Sequence, residues 1–221
     1  YRPLQSVAVF IQLMFGVLIV GNLVVAVAAW AYRGVLLDLV AGKTVLFEDA
    51  IRVEDSYVTA STLVAGVNAL LALTFVLWFW RAYSNLPALG RPRKRRAGWA
   101  IGSWFIPIGN FFIPYGIGAE IWREGRGEDS TVETNLEPVI SWWALFLIMG
   151  LVNQVAFFAG NDAGEDREKI AAVVGLDVVV SVVAVAAAVA AIRYVRLATR
   201  RQERVRDQSV PGWPGGVGAT D

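Results

Sequence analysis

The chain has 221 residues, 56% of them hydrophobic, and a mean hydropathy of +0.52, which is the composition of a membrane protein and not of a soluble domain. A formal net charge of +1 hides a strong separation of Arg and Lys from Asp and Glu along the chain, a pattern that reports membrane topology and not nucleic-acid binding. With no Cys and no His, disulfides, thiolate and imidazole metal sites, Cys nucleophiles and Ser-His-Asp triads are excluded, and no cofactor is expected.

The chain opens at Tyr1 without a cleavable leader pattern. Its first apolar run, 7–32, is too long for a signal-peptide core and reads as a spanning helix with Asn22 as its polar interior residue. Trp30 and Tyr32 suit the far interface. Residues 33–56 read as a polar connection, with Val35, Leu36, Leu39 and Val40 at the spacing of a short surface helix and Asp55 or Ser56 as the cap of the next one.

A second span is predicted over 57–80. Ala60, Ser61, Ala65, Gly66, Ala69 and Ala72 supply side chains small enough for close helix approach, and Trp78, Trp80 and Arg81 form an interfacial end. Six Lys and Arg follow within 81–96, the mark of a short cytoplasmic loop. Residues 98–123 are apolar but interrupted by Pro107, Pro114 and several glycines, so they cannot form one straight helix. An acidic linker, a third span over 139–159 with Asn153 and Gln154, and a fourth over 170–192 with Asp177 complete the membrane part. An Arg-rich stretch leads to a Pro/Gly-rich tail, 207–221, expected to be disordered.

Charge decides between four spans and five. If 98–123 crossed the bilayer, the basic loop and the basic C-terminal stretch would fall on opposite sides, against the positive-inside rule. If it enters and leaves on one side, both clusters are cytoplasmic together with both termini. The expected fold is therefore an all-α integral membrane bundle of four transmembrane helices, carrying a Pro/Gly-broken segment on the cytoplasmic side of the plasma membrane. Two placements stand for that segment. In the re-entrant one, the turn at Gly109 and Asn110 is buried in the helix frame and Asn110 serves the freed backbone groups. In the interfacial one, a helix-turn-helix lies at the headgroups with Trp99, Trp104 and Trp122 as anchors.

Two groups of residues now read together: Phe75, Trp78, Arg81, Asn85, Leu89 and Gly90, then Gly98, Trp99, Ala100, Trp104, Phe105, Ile106, Pro107, Asn110, Pro114, Tyr115, Glu120, Trp122 and Arg123. In this order they resemble the actinobacterial integral membrane family of unknown function numbered 4328 (DUF 4328). The opening Tyr1, Arg2, Pro3 and Leu4 is also similar, so that the resemblance covers roughly residues 1–200. It implies a membrane domain with no assigned activity and no catalytic residue to carry over.

Two candidate sites follow. Arg81, Asn85, Asn110, Tyr115, Glu120 and Arg123 gather at the cytoplasmic face. They form either a polar pocket for a lipid headgroup or amphiphile, or an architectural set in which Arg81 pairs with Glu120 to fix the broken segment. Within the spans, Asn22, Asn153, Gln154 and Asp177 fall at similar depth with Asn68 a little deeper, as a polar layer for a proton or cation or as interhelical hydrogen bonds. The expected function is a non-enzymatic membrane scaffold or accessory module. The alternative is a small, oligomeric transporter or channel using the layer around Asp177. Expected partners are the bilayer, anionic lipid headgroups, and membrane proteins or a second copy of the chain, with no nucleic acid.

Overall fold

The computed structural model describes residues 1–125 and 135–208. The linker acids Glu128, Asp129 and Glu133 and the tail from residue 209 lie outside the described residues. Four helices are long and apolar enough to cross a membrane: α1 (Gln5–Val40), α2 (Phe47–Ser84), α5 (Glu137–Ala163) and α6 (Arg167–Gln208). Between α2 and α5 stand a 3-10 turn (Pro87–Leu89), a short α3 (Trp99–Gly102), two further 3-10 turns (Ser103–Phe105 and Gly109–Phe111) and α4 (Ile113–Glu124). Between 17% and 22% of each apolar stretch is buried within the chain, so most of its surface is left for lipid.

The helices outrun the predicted spans. No separate surface helix forms after residue 32, because 33–40 offers only Gly34 as a breaker and α1 runs on to Val40. The chain reverses at Gly42, whose φ of 73° is the left-handed conformation that glycine adopts without strain. α2 then starts at Phe47 with Glu48 and Asp49 in its positive first turn. Ser56 does not cap a helix but donates back to the Arg52 carbonyl inside α2. α6 starts where Asp166 Oδ1 accepts the N–H groups of Glu168 and Lys169, a side-chain cap.

The segment between α2 and α4 is broken as its prolines require. Trp99–Phe105 and Gly109–Glu124 meet at 118°, a bend that no single straight span can carry. Gly109 makes the vertex possible: a Cβ there would stand 2.9 Å from Ile106 and 3.0 Å from Ile113. The vertex is not buried in a helix frame as the re-entrant placement expects. Phe105, Ile108 and Phe112 are 78%, 76% and 71% exposed.

The chain divides into two compact units. One comprises Tyr1–Leu13, Ala72–Trp143 and Ala191–Asp221, and the other Met14–Leu71 and Ala144–Ala190. In the first, Phe75, Trp78, Phe79, Trp142 and Tyr194 build an aromatic core, with Trp142 stacked on Tyr194 at 4.7 Å and 8° between planes. In the second, Ala29, Leu36, Ala171 and Val174 pack beneath Tyr32 and Tyr57. Of the small residues of α2, Ala60 and Ser61 are half-buried, whereas Ala65, Gly66 and Ala69 face outward, and none of the described residues lies within 4 Å of a Cβ placed on Gly66.

Candidate functional site

α4 carries the centre of the site. Pro114, in its first turn, brings a fixed φ and no N–H where no helical partner exists. From Ile117 to Trp122 every residue is buried. Gly118 allows that depth, since a Cβ there would stand 3.0 Å from Trp142 and 3.3 Å from the Tyr194 hydroxyl. The same hydroxyl donates to the Gly118 carbonyl at 3.1 Å. Trp122, expected as a lipid anchor, is buried instead and donates to the Asn135 carbonyl at 2.8 Å, while the Arg201 guanidinium lies 3.4 Å from its ring centre.

Glu120 is the buried acid of the site, 6% exposed. Its Oε2 accepts the Tyr83 hydroxyl at 2.7 Å and the Lys94 backbone N–H at 3.2 Å, and its Oε1 accepts Arg95 Nη1 at 3.2 Å. The Arg95 backbone N–H donates to the Tyr83 hydroxyl at 3.0 Å. The expected Arg81–Glu120 pair is therefore replaced: among the described residues the cation on Glu120 is Arg95, and Arg81 stands half-exposed on α2. One carboxylate thus ties the basic loop to both α2 and α4, and its bonds offset the cost of burying it.

Asn85 is also consumed structurally. It is buried, its Oδ1 accepts the Arg2 backbone N–H and its Nδ2 donates to the Arg2 carbonyl, both at 2.8 Å. Asn110 Oδ1 does not serve freed backbone groups as expected: among the described residues it is buried with no partner, as is Ser103 Oγ. Tyr115 is half-buried and Arg123 is exposed. Of the six predicted residues, only Asn85 and Glu120 have their side chains fully engaged in this way. Tyr83, Arg95 and Gln202 (to the Ala82 carbonyl at 2.9 Å) complete the polar framework and were not among the predicted site residues, and Trp78, read as part of an interfacial end, is buried and donates to Thr199 Oγ1 at 3.0 Å. The one available signal was Tyr83, two residues after Arg81 at the interfacial end of α2.

The polar layer does not assemble in the second unit. Tyr57 donates to Asp177 Oδ2, which puts Asp177 level with the first residue of the predicted second span. Asn22 lies ten residues before Tyr32, whose ring stacks on Tyr57 at 5.6 Å, so it sits about 15 Å deeper along its helix. Asn22 turns back on its own helix, donating to the Leu18 carbonyl at 2.8 Å, and Asn153 does the same to Met149 at 2.8 Å. Asn68, Asn153 and Gln154 are exposed. An open groove of this unit is lined by the apolar Val24, Phe47 and Leu63 together with the charged Glu48, Arg52 and Asp55, and Arg52 is paired with Asp49.

Four long apolar helices and a bent pair, set around a buried polar framework, define a multi-pass α-helical membrane protein. The chain belongs to the family described as a domain of unknown function (DUF4328), which it matches over residues 42–200. The matched stretch begins in the turn after α1, so the opening Tyr1 to Leu4 falls before it. No curated protein and no solved structure matches the chain.

Proposed function

We propose that the chain is a non-enzymatic scaffold or accessory module of the plasma membrane, with both termini cytoplasmic, that engages anionic lipid headgroups. The observation carrying this reading is the division of labour among polar groups in the first unit. Of the buried ones, Glu120 and Asn85 are spent on internal bonds and Gln202 donates to the Ala82 carbonyl, which suits architecture. The cations stay outside: among its described residues this unit carries fourteen Lys and Arg against five Asp and Glu, and Lys94, Arg96, Arg123, Arg196, Arg200 and Arg204 are exposed. The second unit carries five Lys and Arg against ten Asp and Glu among its described residues. The positive-inside rule places the first set of loops and ends in the cytoplasm.

Arg81 is the contact favoured for a phosphate. It continues the exposed stripe of Leu73 and Leu77 at four-residue spacing, where a long side chain reaches from the apolar boundary to the headgroups. The test is thermal unfolding in nanodiscs of phosphatidylglycerol against phosphatidylcholine. The midpoint is expected to be higher in the anionic lipid, with Arg81→Gln and the Lys94→Gln/Arg96→Gln double variant each reducing the difference and added salt weakening it. Equal midpoints in the two lipids at low salt would refute the lipid reading.

A further inference from the structure

We infer that residues 105–112, the vertex of the bent segment, are inserted among the acyl chains of a single leaflet and act as a membrane wedge. This rests on the membrane-spanning reading of the four long helices and does not require the sidedness proposed above.

Chemistry points to lipid first. No Asp, Glu, Lys or Arg occurs between Ala97 and Ala119. At the vertex Phe105, Ile106, Ile108, Phe111 and Phe112 all present exposed side chains, flanking Pro107. A patch of this kind on water-facing surface is a site awaiting an apolar partner.

Depth identifies that partner. The Trp104 ring, one residue before the vertex, packs edge-on against Phe75 at 6.1 Å and Phe79 at 5.8 Å, and against Trp143 at 6.2 Å. Phe75 and Phe79 lie within the apolar run of α2, whose outward side chains at this level, Leu73 and Leu77, are exposed for lipid. The vertex therefore leaves the protein where hydrocarbon already surrounds α2. The 118° bend returns the chain before it can cross, which confines the insertion to one leaflet.

Part of the vertex backbone is paired within the chain, which lowers the cost of leaving water. Pro107 brings no N–H. The N–H groups of Asn110, Phe111 and Phe112 donate to the carbonyls of Ile106, Ile108 and Gly109 at 2.7, 3.2 and 3.1 Å.

Spin labelling of the 221-residue chain in proteoliposomes tests the wedge, and its lack of Cys makes each introduced thiol the sole label. Single variants Phe105→Cys, Ile108→Cys and Phe112→Cys are compared with Leu73→Cys as the lipid reference and Arg96→Cys as the aqueous one. The expected result is collision with oxygen exceeding collision with a nickel chelate at all three vertex positions, shifted to the Leu73 value. Chelate access equal to that at Arg96 overturns the wedge. Spin–spin broadening at Ile108, removed by diluting labelled with unlabelled chains, would mean that a second copy covers the vertex and also overturns it. An aqueous signal at Leu73 itself would overturn the membrane-spanning reading and the wedge with it.

Discussion

Arg95 holds Tyr83 and the carboxylate that Tyr83 holds: its backbone N–H donates to the Tyr83 hydroxyl at 3.0 Å and its guanidinium to Glu120 at 3.2 Å, while Tyr83 donates to Glu120 at 2.7 Å. The triangle closes the loop between α2 and α4 on one buried charge. Tyr83→Phe removes a buried bond to a charged group and is expected to lower stability by about 1.5–3 kcal/mol. Arg95→Ala costs less, because the Arg95 side chain is 40% exposed and water replaces part of its role. Denaturation midpoints in detergent check the order; a larger loss for Arg95→Ala than for Tyr83→Phe would mean that the ion pair and not the hydroxyl holds Glu120.

Two glycines of α4 should respond in opposite directions. A Cβ on Gly116 meets nothing closer than Arg95 Nη1 at 3.8 Å, so Gly116→Ala is expected to stabilise by up to about 0.5–1 kcal/mol through helix propensity. Gly118→Ala drives a methyl against the Trp142 ring and should cost about 1–3 kcal/mol. The same unfolding assay decides, and equal effects would refute the close approach of α4 to Trp142.

The Tyr57–Asp177 bond is read as structural. Tyr57→Phe leaves the half-buried Asp177 without its donor and should destabilise by about 1–3 kcal/mol, whereas Asp177→Asn keeps an acceptor and should cost less. Proton and cation flux in proteoliposomes should be the same for Asp177→Asn and the parent chain. Flux lost on that substitution would restore the transporter reading.

Stability should carry an alkaline limb from Tyr1. Partial burial, then the adjacent Glu203 carboxylate, push its phenol above the ordinary value of 10.0. A raised value in the folded chain means that the neutral phenol is the stabilised form. Its contribution is complete below about pH 10 and is lost as the pH rises above that. The stability difference between the parent chain and Tyr1→Phe should shrink from pH 8.5 to about pH 10.5; a difference constant over that range would show that the phenol does not ionise differently on folding.

The four long helices and the break between them were legible because both signals are local. An apolar run declares its length, and Pro107 and Pro114 declare that a helix cannot pass straight through. Helix ends were less legible: Arg33 and Asp38 look like loop residues, yet neither stops a helix, and α1 ends only where Gly42 adopts a left-handed turn. Tertiary partners were not legible. Several cations cluster around α4 in the sequence, and the path of the loop, not residue type, brings Arg95 and not Arg81 onto Glu120. Depth in sequence did not give facing either: Asn22 and Asn153 turn back on their own helices, and Asn68 and Gln154 face outward.

The aromatic core also gives the chain an uneven optical signature. Trp78, Trp80, Trp99, Trp104, Trp122, Trp142 and Trp143 all belong to the first unit, Trp30 alone to the second, and Trp213 lies outside the described residues. Intrinsic fluorescence therefore reports almost entirely on the unit that holds Glu120 and the bent segment, whereas far-ultraviolet circular dichroism reports on all the helices. Melting curves from the two signals would superimpose only if both units unfold together.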